Sequence, residues 1–441
     1  MSTRTAVRTP SDRSVSGWYS ILPEPGPARE LADDITADWV IVGAGFAGLA
    51  AAHRLANRCP GERIVLLDAQ RVGWGAAGRN SGFMIDLPHE LNSDNYTSGA
   101  DEDRRKIARN RAGIAAMKEA VDAYGLHEHF NPCGKLHGAT DGNGLRALGE
   151  FENHLDALDE PYTHLSAADM KHITGSDYYA GGMHAPGAVI IQPAALVRGI
   201  TDGLANRVHI YENSPAIEIT PGDAPVVRTR RGSVTAGKLI LTVNGHLESF
   251  GYAAKRLVHV FLYASMTREL TSAEQRTLGG RDEWALIPAD PMGTTVRRLR
   301  EGRIVVRNSA TYNPAMSVGE DDIARAGGAN DASFRARFPM LGNVEMAYRW
   351  AGHLCLSLNS VPVFGEIERG IISACCQNGL GTVAGTLHGR LAADLALGSN
   401  DPVIAELLAD EPPRRLYPEP FMSLGVKASL WWYRRRAGRD F

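Results

Sequence analysis

The sequence predicts an α/β fold: a parallel sheet covered by helices, joined to a second α+β unit built on an antiparallel sheet. Three observations point there. DWVIVG (38–43) and RIVLLD (63–68) are uninterrupted apolar runs flanking FAGLAAAHRLAN (46–57), a segment of helix formers and small residues. Strand, helix and strand within about thirty residues form a βαβ unit, and continuous β-branched runs suit strands buried on both faces. The stretch 256–310 instead carries separate apolar segments, LVHVFLYASM, EWALIPA and GRIVVRNS, which predict antiparallel strands. Finally, 441 residues exceed what one hydrophobic core holds, so two interleaved domains sharing a cleft are expected.

Residues 1–36 are polar, with prolines at 10, 23, 25 and 27, and read as an arm draped over the body. The first domain is expected from 37–92, 186–247 and 346–400, the second from 93–185 and 248–345, and a tail from 401–441. Residues 70–92 are Gly-rich and predict an ordered loop. From Glu102 to Tyr124 the pattern is helical, with Ile107, Ile114, Met117, Val121 and Tyr124 on one face. QPAALVRGITDGL, VHIYEN and KLILTVNG (192–245) return to helix and strand. Residues 371–397 close the body with an apolar segment, a Gly turn and a long helix.

The composition is that of a globular protein, 44% hydrophobic and 22% charged. A net charge of −3 gives no reason to expect nucleic acid as partner. No apolar run approaches the ~18 residues of a membrane span. The first twenty residues contain arginines but no apolar stretch of the secretory type, which points to the cytoplasm. Five cysteines without a CxxC argue against a disulfide framework, a zinc site or a dithiol centre, and no metal is expected.

The chemistry enters at Gly43-Ala44-Gly45-Phe46-Ala47-Gly48, a GxGxxG set between strand and helix. Gly43 permits the tight turn, Gly45 lets the backbone approach a pyrophosphate, and Gly48 lets helix and strand pack closely. The phosphate charge then meets the helix N-terminus at Phe46 and Ala47, where free N–H groups and the dipole favour an anion. Asp68, followed by Ala69 and Gln70, ends the second strand, where a carboxylate accepts hydrogen bonds from ribose hydroxyls. The acid disfavours a 2′-phosphate, leaving FAD or NAD as the dinucleotide.

The next loop narrows the choice. Gly73-Trp74-Gly75-Ala76-Ala77-Gly78-Arg79-Asn80-Ser81-Gly82 resembles the GxGASGRNGG loop of the D-amino acid oxidase-like superfamily, in the branch with γ-glutamylputrescine, glycine and sarcosine oxidases. Further landmarks follow in that family's order. IIQPAALVRGI (190–200) resembles its P-x-x-L helix start, and NSPAIEI (213–219), with Ala216, the strand whose backbone meets adenine. LILTVNGH (239–246), with Asn244 and Gly245, resembles the strand end near the flavin. RWAGHLCLSLNSVPVFG (349–365), with Gly352, resembles the W-x-G…P-x-x-G segment. CCQNGLGTVAGTLHGRLAADL (375–395), with Gly379, Leu380, Gly381 and Thr382, resembles the last turn and helix, aimed at the flavin ring. The resemblance spans about 38–397. It implies a Rossmann-type FAD domain and oxidation of a C–N bond in an amine or amino acid, with oxygen or a separate acceptor taking the electrons.

It also implies few obligatory side chains, because the flavin supplies the redox chemistry. A dry pocket lowers the pKa of an ammonium and holds the amine neutral. The histidine candidates are His89, His246, His259 and His353, each weighed against an ordinary structural role. His353 leads, because it follows the Trp-x-Gly segment that the resemblance sets beside the flavin. Arg307 falls near the oxygen-activating lysine of sarcosine oxidases; a guanidinium there could attract superoxide or a substrate carboxylate, or simply be a solvated strand arginine. Arg79, in the flavin loop and counted with the cofactor-binding residues, reads equally as a substrate contact or as a phosphate or structural contact. Val383 stands where those oxidases carry a carboxylate-binding lysine, so any carboxylate must be recognised elsewhere. Cys355 lies about three residues from the covalent-attachment position of some members, which implies non-covalent FAD; Cys375 and Cys376 read as strand packing. The tail ASLWWYRRRAGRDF suits either a membrane surface or partner, or, as we expect, docking on its own body. Two competing readings are an FAD monooxygenase using NAD(P)H, whose Gly-Asp-Ala-type motif is missing, and a non-catalytic dinucleotide-binding subunit.

Overall fold

The computed structural model describes residues 2–12, 14–89 and 96–441. The domain boundary expected at 92/93 lies outside the described residues. A nine-stranded sheet carries the predicted βαβ unit: Asp34–Val42 lies between Ile64–Leu67 and Ser233–Leu241, parallel to both. Val208–Tyr211 extends it in parallel beyond Ile64–Leu67, and Ile371–Cys375 joins Ser233–Leu241. The uninterrupted apolar runs have a direct cause. Ile41, Leu66 and Ile240 face a core under the helices Phe46–Arg58, Pro193–Leu204 and Val383–Ala396, whereas Val40, Val65, Leu67 and Leu239 face a second core on the opposite side. Alternate residues of one strand thus fill two cores, each buried side chain contributing roughly 1.5–3 kcal/mol.

The second, eight-stranded sheet runs Met346–Leu356, Val258–Thr267, Ile304–Tyr312, Thr295–Arg298, Trp284–Pro288, Lys135–Ala139, Gly181–Ala185, Thr163–Ser166. All its pairings are antiparallel except Trp284–Pro288 with Lys135–Ala139. The expected antiparallel region is therefore present, together with strands contributed by the segment 135–185.

Four expectations are corrected. Strand Asp34–Val42 begins inside the expected arm, so the boundary at 36/37 cuts a strand. Strand Met346–Leu356 pairs along its length with Val258–Thr267, which places it in the second sheet rather than the first. Helix Ala100–Tyr124, assigned to the second domain, spans both: Ile107 packs with Ala139, Met183 and Ala285 of the eight-stranded sheet, whereas Met117 and Val121 pack under the nine-stranded sheet. The arm is not draped but built in. Its strand Arg4–Thr5 pairs with Glu218–Thr220, Trp18 is fully buried and donates to the Asn80 carbonyl at 2.8 Å, and Ser16 donates to the Gly78 carbonyl at 2.7 Å. The loop 73–82 is thereby clamped from outside.

The tail docks on its own chain. Helix Phe421–Ala437 seats Met422 against Val258 and Val260. The Thr140 N–H and hydroxyl donate to Asp440 at 2.9 and 2.5 Å, and Arg337 donates to the Asp440 carbonyl at 2.8 Å. Trp431 and Trp432 nevertheless remain on the outer face, about 60% exposed. Among the described residues no helix is long and apolar enough to cross a membrane.

Candidate active site

A cavity of about 330 Å³ lies between the two sheets. One end is made of backbone. Gly43 turns at φ +104°, where a Cβ would stand 2.8 Å from the Thr242 carbonyl oxygen. Gly45 starts helix Phe46–Arg58 with no side-chain cap, so the first N–H groups stay available at the cavity wall. Asp68 accepts from the Ala44 N–H at 2.7 Å and the Gln70 N–H at 2.9 Å. Burial pushes its carboxyl up to about 6; the two N–H donors oppose this, while Glu212 and Asp12 add to it.

Most of the sequence-predicted cofactor residues meet on this wall: Gly43, Gly45, Phe46, Ala47, Asp68, Ala69, Gln70, Gly75, Ala76, Ala77, Arg79, Asn80, Ser81, Ala216, Asn244, Gly352, Gly379, Leu380, Gly381 and Thr382. Gly48, Gly82 and Gly245 do not. Each stands behind the wall, where a Cβ would meet the Gly43 oxygen at 1.7 Å, the Arg297 guanidinium at 1.9 Å and the His353 ring at 2.7 Å, respectively. They permit close packing rather than contact with a ligand. The last Gly turn reaches Thr382, whose hydroxyl donates to the Phe83 carbonyl at 2.5 Å, and helix Val383–Ala396 starts there.

The other end is made of side chains. Arg307, on strand Ile304–Tyr312, donates from Nε to the Ser81 hydroxyl at 3.3 Å. No carboxylate of the described residues pairs with it. Burial lowers its pKa, yet a guanidinium starts so high that it keeps its charge. Arg79 is different: its guanidinium is turned away to the carbonyls of Trp74 (2.6 Å), Ala351 (3.1 Å) and Ser14, with Asp12 at 3.8 Å. It pins the loop to the arm and has little left for a substrate, so only its structural reading survives.

His89 lies near Arg307, His353 and His246 line the cavity elsewhere, and His259 stands directly behind His353. His353 Nε2 lies 3.1 Å from His259 Nδ1, and His259 Nε2 lies 2.8 Å from Glu248 Oε2. The His353 ring stacks on Phe261 with centroids 5.1 Å apart. Burial, then the neighbouring His259 and His246, hold His353 well below the usual imidazole range. Burial likewise lowers His246 to about 4 and His89 to about 3. His89 stacks on Tyr96 at 4.7 Å, and its Nδ1 has no protein partner. The Glu248 link, Tyr96 and Thr242 escaped sequence reasoning. Thr242 bonds the Gly43 carbonyl at 2.8 Å and sits just before the Asn-Gly landmark, which was the one available signal.

The chain matches the family described as "DAO: FAD dependent oxidoreductase" over residues 38–395. It belongs to that family of FAD-dependent oxidoreductases. Among curated relatives, this oxidoreductase is 27% identical over 377 residues to gamma-glutamylputrescine oxidoreductase of Escherichia coli (strain K12), covering 84% of this chain and 86% of that protein. It is 26% identical over 406 residues to the probable oxidoreductase OrdL of Rhizobium meliloti (strain 1021), covering 87% and 88%. Glycine oxidase from Geobacillus kaustophilus shares the fold at a TM-score of 0.69 and 18% identity, over 83% of this chain and 95% of that one. Iminodiacetate oxidase from Chelativorans sp. BNC1 does so at 0.65 and 16%, over 86% and 98%.

The cofactor of the family is FAD, and the residues present fit it. The glycine turn leaves uncapped helix N–H groups and no side chain where a diphosphate needs room. Asp68 offers an acceptor at the ribose position. Cys355, near the attachment position of covalent members, is 1% exposed and packs with Leu257 and Cys376.

Proposed function

We propose that this oxidoreductase oxidises the C–N bond of a secondary amine or N-substituted amino acid, of the iminodiacetate or glutamylated polyamine type. The carrying observation is the Arg307 guanidinium, buried in the cavity wall near His89 and paired with no carboxylate of the described residues. A buried cation without a counter-ion is costly unless an anion joins it, and a substrate carboxylate is the anion that such a substrate brings. A guanidinium donates to both carboxylate oxygens at once and so orients as well as attracts. This supplies the carboxylate recognition for which Val383 leaves no lysine. The relatives named for gamma-glutamylputrescine and iminodiacetate fit an amine that carries a carboxylate.

FAD, held non-covalently by the glycine turn, Asp68, the 73–82 loop and the 379–382 turn, would supply a two-electron acceptor for the substrate hydride and pass the electrons to oxygen or another acceptor. The chain's residues do the rest. Arg307 binds and orients the carboxylate. Phe261, Ile287 and Leu354 line the cavity with apolar surface that excludes water and lowers the ammonium pKa. His353, neutral at physiological pH, accepts a proton or hydrogen bond from the bound amine. The two-domain division, with the boundaries corrected above, supports a substrate held in the cleft. We further propose a cytoplasmic enzyme, with the exposed Trp431 and Trp432 face available to a membrane surface or protein partner.

An anaerobic screen of amines, following flavin absorbance, tests the reading. Carboxylate-bearing secondary amines should bleach the flavin without NADPH. Bleaching only with NADPH would instead support the monooxygenase reading, and no bleaching by any amine, amino acid or hydroxy acid the non-catalytic one.

A further inference from the structure

Behind His353 stands a hydrogen-bonded series that the redox chemistry does not require. Glu248 Oε2 lies 2.8 Å from His259 Nε2, and its other oxygen accepts the Lys255 N–H at 2.5 Å. A carboxylate oxygen accepts, so the neutral form of His259 that this contact favours carries its proton on Nε2. That leaves His259 Nδ1 as an acceptor, 3.1 Å from His353 Nε2, which must then be the protonated nitrogen of His353. The remaining nitrogen, His353 Nδ1, has a free lone pair. It has no protein partner and is not among the sealed polar atoms of the described residues, while the ring lines the cavity. Three packing contacts hold the ring: Phe261 stacked at 5.1 Å, His246 edge-on at 5.9 Å, and Gly245, whose missing Cβ would stand 2.7 Å from the ring.

We propose that Glu248 and His259 are positioning residues that fix His353 in the Nε2–H tautomer and make its Nδ1 a proton acceptor for the ammonium form of the substrate. The inference rests on the amine-oxidising reading above. The step is a single proton transfer. One N–H bond of the ammonium breaks and one forms at His353 Nδ1, leaving a neutral amine and an imidazolium, with no change in electron count. The imidazolium keeps its Nε2–H bond to the His259 Nδ1 lone pair, and the Glu248 carboxylate behind His259 offsets part of the burial that opposes the new charge. The cavity returns the proton to solvent when product leaves. The titratable groups facing the series are His246 on the Asn244–Phe250 segment, Arg8 on the arm beside His246, Tyr312 on the neighbouring strand near Glu248, and Cys355, paired with His259 across the strands and near Glu248. Burial, then His259 and Arg8, oppose protonation of His246.

The test uses holoenzyme labelled with 15N-histidine, with long-range 1H–15N correlations assigned through His353→Gln and His259→Gln. Without substrate, His353 and His259 should both appear as single neutral Nε2–H tautomers. In Glu248→Gln, near-isosteric and safe for folding, the amide cannot accept at both former oxygen positions; the His353 signal should move toward the Nδ1–H form. In the same variant, the rate of anaerobic flavin reduction should fall by about tenfold or more, with substrate dissociation constants changed less than about threefold. Its pH profile should shift to higher pH, because only amine already neutral in solution then reacts. Identical tautomers in wild type and Glu248→Gln, or a pH profile unmoved by both Glu248→Gln and His353→Leu, would overturn the proposal. If no amine reduces the flavin, the amine-oxidising reading falls, while the tautomer measurement still decides whether Glu248 sets His353.

Discussion

The two ends of the cavity are built on opposite plans. The nucleotide end is almost all main chain: the turn at Gly43, the helix start at Gly45 and the acceptor Asp68, itself held by two backbone N–H groups. The end around Arg307, the proposed substrate end, is made of side chains, with Ser81 and His89 near the guanidinium. A main-chain cradle recognises a ligand part that never varies and tolerates no added atom. A side-chain end can change substrate with little cost to the fold. The contrast predicts that substitutions at the first end act through cofactor retention, and at the second through substrate discrimination.

The largest effect should break the first plan. Gly48→Ala places a Cβ 1.7 Å from the Gly43 carbonyl oxygen and 2.8 Å from the Thr242 hydroxyl. Because the first neighbour is main chain, the helix must move off the strand, and the turn opens. A loss of about 4 kcal/mol or more is expected, in the range reserved for steric conflicts in a core. Purified Gly48→Ala should carry little flavin and melt well below wild type. Full flavin occupancy with an unchanged melting temperature would mean that the turn is softer than its contacts indicate.

The second plan is sharpened at Arg307. Arg307→Leu should lower kcat/KM for carboxylate-bearing amines by about a hundredfold, roughly 3 kcal/mol, as for loss of one partner of a buried ion pair. Flavin content should stay at the wild-type level, and amines lacking a carboxylate should be affected far less. Equal losses for both substrate kinds would assign Arg307 to the oxidative half of the cycle instead.

The same contrast explains what could be read from the sequence. The βαβ unit and its glycine turn were legible because contiguous residues dictate them: strand, Gly43, Gly45, helix and Asp68 follow within about thirty positions. Gly48 packs helix against strand, as its place in the motif implied, whereas Gly82 and Gly245 were found without their packing role, since sequence shows that a glycine is required and not which neighbour requires it. Pairing and packing over long separations were not legible. His353 reaches His259 only because Met346–Leu356 lies beside Val258–Thr267, and Trp18 reaches Asn80 only because the arm folds back across the loop. No local pattern encodes either contact. Arg79 illustrates the same gap: its charge was visible, its three carbonyl partners were not.

A smaller effect follows from pH. The proposed FAD site asks Asp68 to accept from a ribose hydroxyl, which favours the ionised carboxyl. Binding must therefore lower the carboxyl pKa from its free-protein value of about 6. Affinity is then at its plateau above that value and weakens as pH falls through it, by at most about tenfold per unit. Flavin retained after ultrafiltration at pH 7, 6 and 5 should show this loss. In Asp68→Asn the pH dependence should flatten and the pH 7 affinity should drop to the acid level; a wild-type affinity flat from pH 7 to 5 would separate Asp68 from the ribose.

The smallest expected effect is none, at Cys355. Its thiol lines the boundary between the two ends but faces Cys376 and Leu257 rather than open space. Contact with Cys376, then burial, raises its pKa well above the ordinary thiol value, so the nucleophilic thiolate needed for attachment to a flavin is suppressed. Acid-denatured wild-type protein should release all of its flavin into the supernatant, and Cys355→Ser should keep the same flavin content and reduction rate. Flavin that stays with the denatured wild type and not with Cys355→Ser would show that attachment reorients this strand, and that the main-chain cradle alone does not hold the cofactor.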